Sequence, residues 1–387
     1  MRMLLLIIFM AVLWSNCSSE NKTIPIDSVM KIAQQQYNAL LVEIDGKKLL
    51  PRTIEKGELK LVEPEDWTSG FFPGALWYLY QYSGDEKWKA AAEKYSSLLE
   101  DIQYFTGNHD IGFMMYCSYG NGYRITKNKQ YRELLIQSAK SLCTRYNPKV
   151  GCIRSWDWNQ KKWQYPVIID NMMNLELLLW AFHETGDSSF FKIAVAHADN
   201  TMKNHFREDF STYHVVDYDP KTGQPRIKQT WQGLSDSSAW ARGQAWGLYG
   251  FTMMYRETGN LKYLKLAEKI AEFILKHIPH DMVPYWDFDV DSDSEPRDAS
   301  AAAIMASAFF DLSKYGSESS GKYLNAAIKI LQSLSSEKYL AKPGENNHFI
   351  LMHSVGSKPG QSEIDVPLNY ADYYYMEALL KASRRMQ

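Results

Sequence analysis

Cysteine is scarce in this chain of 387 residues: there are four, and setting aside Cys17 leaves Cys117, Cys143 and Cys152. An odd remainder argues against a disulfide framework. Cys143 and Cys152 are close enough in sequence to pair across the turn at Pro148, and buried free thiols are the alternative. Excess charge is missing too, with 43 basic against 45 acidic residues and no dense basic cluster, which argues against nucleic acid as a partner. No HExxH, CxxC or phosphate-cradling glycine loop occurs. The run DFDVDSDSE, Asp287 to Glu295, lacks the glycine and terminal glutamate of a calcium loop and reads as an acidic rim loop. His183, His197 and His205 fall at helical positions, as ordinary packed or exposed histidines do. Neither a metal nor a cofactor is expected.

Long apolar runs are confined to the start. Residues 1–17 combine Arg2, an apolar run from Met3 to Trp14 and small polar residues up to Cys17, the pattern of an export signal too short for an ordinary membrane-spanning helix. The approach to Cys17 resembles a bacterial lipoprotein processing site, with Trp14 and Asn16 departing from it at the two positions that usually matter. A lipid anchor at Cys17 and plain cleavage both stay open. After a polar linker at 18–23 no second run of about 18 apolar residues follows, so the expected location is the periplasm or, by a lipid tether, the bacterial envelope. Residues 24–387 read as one domain.

What the chain has in quantity is flat aromatic surface, 25 Tyr and 12 Trp, whose rings pair an apolar face with a polar tip and suit stacking on sugars. It also repeats. Five segments, beginning near Asp66, His109, Asp170, Ala241 and Asp298, each read as an apolar helix, a short turn and an amphipathic helix. The turns align at Gly84-Asp85, Lys127-Asn128, Gly186-Asp187, Gly259-Asn260 and Gly316-Ser317. Two helices remain, an amphipathic one over Ser28 to Ile44 and an apolar one over Tyr370 to Arg384, which make a sixth pair by joining the chain ends. The expected fold is all-α, an (α/α)6 barrel with the apolar helices inside; hardly any period-2 alternation is seen. An open solenoid is the alternative, but its terminal units would be polar, and Tyr370 to Leu380 is not.

In such a barrel the loops entering the inner helices share one rim. Asp170, in YPVIIDNMMNLELLLWAFHET, sits where the third inner helix begins, and Asp110 where the second begins. Either carboxylate can be a simple helix N-cap. Facing each other, they raise one another's proton affinity, so that one stays protonated as an acid while its neighbour is charged. Trp67, Trp156, Trp158, Trp231, Trp240 and Trp246 fall in or beside the same loops, and Arg242 and His214 supply positive charge. Arg242 there either neutralises the acids or clamps a substrate carboxylate at two points.

The segments DWTSGFFPGALW, HDIGF, IIDNMMN, the run from His214 to Trp246, YWDFD and PRDASAAAI resemble, in the same order, the unsaturated glucuronyl hydrolases of glycoside hydrolase family 88. The resemblance implies an (α/α)6 barrel and a substrate made by polysaccharide lyases: a short oligosaccharide whose non-reducing end is a 4,5-unsaturated uronic acid. It places the acid/base on Asp170 and the second aspartate on Asp110, preceded by His109. Substrate contacts fall on Trp67, Trp156, His214, Gln232, Arg242 and Trp246. It also implies hydration of the C4=C5 enol ether, in place of attack at the anomeric carbon. Relatives acting on sulfated fragments carry a Ser and Lys cluster near the C-terminus; HSVGSKPG offers Ser354, Ser357 and Lys358, with the lysine one place nearer than that pattern.

The leading expectation is thus an exported hydrolase of glycosaminoglycan fragments. Its rivals are an unsaturated rhamnogalacturonyl hydrolase acting on pectin fragments, a non-catalytic glycan-binding lipoprotein, and a helical scaffold for protein partners.

Overall fold

The computed structural model describes residues 24–291, 293–315 and 318–386. The export signal, Cys17, the linker at 18–23 and the turn at Gly316-Ser317 lie outside the described residues.

Four turns of the repeat share one local chemistry. Gly84, Lys127, Gly186 and Gly259 end their helices in the left-handed region, at φ 69°, 57°, 74° and 67°. The next residue, Asp85, Asn128, Asp187 or Asn260, then caps the following helix by accepting from the backbone N–H two places on. A Ser or Thr hydroxyl before the turn accepts from that capping residue's own N–H, at 3.1 to 3.2 Å. Reversal within two residues sets the helices of each pair side by side.

The inner helices are Phe71–Ser83, Asn171–Thr185, Ala241–Thr258, Ala299–Leu312, Asn369–Met386 and a broken one, in which Ile111–Met115 passes through a π-helical turn at Tyr116–Gly120 into Asn121–Thr126. Every residue of Ala299–Leu312 is buried. Outside them lie Ile26–Glu43, Glu86–Ser97, Lys129–Cys143, Ser188–Asn204, Leu261–His277 and Ser320–Leu334, each with one solvated face. The last inner helix packs against the first, which closes the ring and excludes the open solenoid. Asn369 fastens the joint, its amide donating to Pro51 O at 2.8 Å and Thr68 O at 2.9 Å.

Spacing between the second and third inner helices depends on Gly112. A Cβ there would lie 2.5 Å from Asn174 Oδ1 and 2.6 Å from Asn174 Cα, while Phe113 N–H donates to the same Oδ1 at 2.8 Å. These two helices begin beside Asp110 and Asp170. Gly112→Ala is therefore expected to cost about 1–3 kcal/mol of stability and to lower activity through misplaced carboxylates, checked by denaturant unfolding alongside steady-state rates.

Sequence periodicity missed nine short strands in four small sheets among the described residues. The charged stretch after the first helix is a hairpin, Leu50–Glu55 with Glu58–Val62, turning at Lys56-Gly57, both with positive φ. Pro166–Ile168, Val215–Tyr218 and Pro225–Gln229 form a three-stranded sheet, and Ser354–Ser357 pairs with Ser362–Val366. All the strands lie in inter-helix loops, too short for alternation to stand out. Cys117, Cys143 and Cys152 are free thiols.

Candidate active site

At the rim where the inner helices begin, a cavity of about 260 Å³ is lined by Trp67, His109, Asp110, Trp156, Asp170, Gln232, Arg242 and Ser357, among others. Its floor is a layer of rings, with Trp67 5.0 Å from Tyr370, Phe71 5.4 Å from Phe113, Phe113 5.2 Å from Trp246 and Trp246 5.4 Å from Tyr374. A larger cavity, about 370 Å³, opens below that floor, but its acids are engaged. Arg256 pairs with Glu176, Glu257 and Asp311, and Lys381 with Asp311 and Glu377. Uncommitted carboxyl groups are found only in the smaller one of these two.

Neither aspartate is a cap. Asp170 has helical backbone angles, φ −56° and ψ −28°, and its side chain accepts no capping hydrogen bond; Asp110 likewise makes none. Asp298, at the start of the fifth inner helix, shows the contrast by accepting from Ser300 and Ala301 N–H. The sheet sets the position of Asp170: Ile168 pairs with Val215, and Ile169 N–H donates to His214 O at 3.1 Å. Burial pushes the Asp170 carboxyl up to about 7, with Arg242 restraining the rise. Asp110 is also raised well above the carboxylate range, first by burial and then by Asp170 beside it.

The two histidines of the site, His214 and His109, are held neutral, contrary to the positive charge expected of His214. Burial, with Arg242 nearby, lowers His214 well below its ordinary value, and burial brings His109 down to about 3. His214 Nδ1 accepts from the backbone N–H of Trp231 and Gln232 at 3.1 and 3.2 Å, which leaves the proton on Nε2, 3.7 Å from Asp170 Oδ2. His109 Nε2 lies 3.3 Å from Asp110 Oδ1. Asp170 Oδ2, His214 Nε2, Trp156 Nε1, Trp246 Nε1 and Arg242 Nε are all buried without a hydrogen-bond partner in the protein. Asp170 Oδ2 and the facing His214 Nε2 thus stand idle together at the cavity, which suits a polar ligand, since buried groups of this kind are costly when left unpaired.

Arg242 is buried and has both ends in use. Nη1 reaches Asp298 at 3.2 Å and Val355 O, Nη2 donates to Gly356 O at 2.6 Å, and the plane stacks 4.4 Å from the Trp240 ring. A two-point clamp on a substrate carboxylate is thus not available to it; it neutralises Asp298 and holds the Ser354–Ser357 strand against the cavity. Gln232 supports the same strand, donating to Gly356 O at 2.9 Å.

Of the C-terminal cluster only Ser357 reaches the cavity. Ser354 is fully buried with its hydroxyl unpartnered, and Lys358 leans away onto Glu295 and the Trp286 ring. Trp246 lies under the cavity and not on its wall, and His214 stands behind Asp170. Sequence reasoning missed Arg52, Glu363 and Tyr370 in the wall. Arg52 forks onto Glu363 at 2.6 and 2.9 Å and reaches Asp66 at 2.6 Å, tying two hairpins together. The one available signal was the Lys56-Gly57 turn, which marks the hairpin that carries Arg52.

The family model described as Glycosyl Hydrolase Family 88 matches residues 50–383. A protein of Formosa agariphila, "Unsaturated glucuronyl hydrolase", is 48% identical over 86% of this chain and 82% of its own. One from Streptococcus agalactiae, "Unsaturated chondroitin disaccharide hydrolase", is 36% identical over 83% of this chain and 82% of its own. Among solved structures, an "unsaturated glucuronyl hydrolase specific for heparin" superposes with a TM-score of 0.90 at 50% identity, covering 93% of this chain and 97% of that one.

Proposed function

The chain belongs to glycosyl hydrolase family 88, and from that premise we propose that Asp170 is the acid and base with which this glycosidase removes a 4,5-unsaturated uronic acid from the non-reducing end of glycosaminoglycan fragments. The observation carrying the assignment is a buried carboxyl raised to about 7, free of any cap, lining the rim cavity and facing the unpartnered Nε2 of His214.

Asp170 gives its proton to C4. Positive charge develops at C5, shared with the ring oxygen, and the carboxylate just formed takes a proton from the water that adds at C5. The resulting hemiketal opens as the bond from C5 to the ring oxygen breaks. The hemiacetal left at C1 then collapses to an aldehyde, its hydroxyl proton passing to the departing sugar. Asp110 orients the ring and, when charged, stabilises C5. His214, neutral with its proton on Nε2, faces Asp170 as a donor and favours return of the carboxylate between steps. Trp67 and Trp156 offer ring faces, while Gln232 and Ser357 offer polar contacts along the wall.

The acid must be protonated to start. Because burial raises its pKa, the competent form dominates below about 7 and is lost above it. The expected result is that kcat/KM falls about tenfold per pH unit on the alkaline side of 7, measured as a pH profile on an unsaturated disaccharide. An alkaline limb near the ordinary carboxyl range would contradict the assignment.

A panel of purified unsaturated disaccharides, followed by loss of ultraviolet absorbance from the double bond, tests the substrate class. Heparin-type disaccharides head the panel, because the relative described as specific for heparin is more similar than the one named for chondroitin. Turnover of rhamnogalacturonan disaccharides alone would transfer the protein to the pectin reading.

A further inference from the structure

Three tryptophans lead outward from the cavity in order of exposure. Trp156 is 8% exposed, Trp231 42% and Trp158 45%. Trp156 stacks on Trp158 at 4.8 Å and 16°, Trp158 meets Trp231 at 5.1 Å, and both rest on Trp163, which is fully buried. Trp158 and Trp231 line the cavity and also face solvent. Over this patch stands Lys162, its Nζ 4.5 Å from the Trp163 ring and 5.4 Å from the Trp231 ring. Asp157, the nearest acid in sequence, is committed to Arg145 and Arg154 at 2.9 and 3.1 Å. Lys162 makes no ion pair among the described residues. The lip therefore carries two half-exposed indoles, with one cation that has no acidic partner standing against Trp231.

We propose that Trp158, Trp231 and Lys162 form a further subsite that receives the third sugar unit of the substrate and recognises its carboxylate. The inference rests on the reading of function above. A lyase cutting a chain of alternating uronate and hexosamine leaves an unsaturated uronate first, a hexosamine second and an intact uronate third. The reacting unit occupies the cavity, so later units pass over its lip. A uronate there lays its ring on tryptophan and its charge beside Lys162, where the aromatic faces already hold the ammonium without neutralising it.

The test compares an unsaturated disaccharide with the tetrasaccharide of the same polymer, by loss of absorbance. Lys162→Gln is expected to lower kcat/KM for the tetrasaccharide about three- to fivefold through KM, with the disaccharide changed less than about twofold. Lys162→Glu deepens the tetrasaccharide loss to about tenfold, and added salt erodes the wild-type preference for the longer substrate. Trp231→Ala lowers the tetrasaccharide to disaccharide ratio about fivefold. Unchanged ratios in the Lys162 variants, with the disaccharide still turned over, would overturn the subsite alone. A wild-type enzyme inert on every unsaturated disaccharide would overturn the reading of function and the subsite with it.

Discussion

Asp170→Asn is expected to lose about three to four powers of ten in kcat/KM on any unsaturated disaccharide the wild type hydrolyses, with folding and substrate binding kept. On the assignment proposed for Asp170, the size of the loss comes from one group holding both the proton for C4 and the basic site for water. The retention of fold comes from what Asp170 does not do: it caps no helix, and its Oδ2 has no partner in the protein. Replacing a buried, partly protonated carboxyl by an amide of the same shape removes no structural hydrogen bond that the protein makes through Oδ2. Thermal unfolding should therefore shift little while binding, followed by calorimetry, persists. A variant that binds but does not turn over also separates this enzyme from a glycan-binding protein, for which wild type and variant alike would leave the double bond intact. Retained turnover would place the acid elsewhere.

Arg242→Gln is expected to destabilise the protein by about 3–5 kcal/mol. Arg242 is 1% exposed, and its partner Asp298 is fully buried. Removing the cation leaves the buried Asp298 without its ion-pair partner and frees Val355 O, while Gly356 O keeps only the Gln232 amide as donor. Asp298 retains the N–H groups of Ser300 and Ala301, which tempers the cost without meeting it. Denaturant unfolding measures the effect, and the double variant with Asp298→Asn should recover part of it, because the stranded charge is gone. A loss below about 1 kcal/mol, or a double variant no better than the single, would mean that the pair is solvated and not structural. Activity should fall too, since the strand ending in Ser357 would no longer be held at the cavity.

The barrel was legible because its signals are local and repeated. Ser-Gly-Asp, Thr-Lys-Asn, Thr-Gly-Asp and Thr-Gly-Asn mark four helix reversals, and helices such as Ala299–Leu312 are apolar on every side because they are buried on every side. Asp110 and Asp170 were legible as helix starts, and a closed ring brings such starts together. That their side chains leave the caps unfilled was not, since it depends on backbone angles that an aspartate at a helix start does not announce. The charge on His214 was misread because burial, with Arg242 nearby, keeps the ring neutral, and neither shows in the local sequence. Arg52 and Glu363 were invisible for a related reason: each sits on a short hairpin, and their pairing spans most of the chain. Lys358 lies next to a cavity residue in sequence, yet the acidic loop holds it through Glu295.

The proton's destination separates hydration of the enol ether from attack at the anomeric carbon. Turnover of an unsaturated disaccharide in heavy water, with the product examined by NMR before it exchanges, should place one deuterium on one face of C4, and the double bond should vanish at the rate at which the sugar is released. A released sugar whose partner keeps its C4=C5 bond, with no deuterium at C4, would contradict the role given to Asp170.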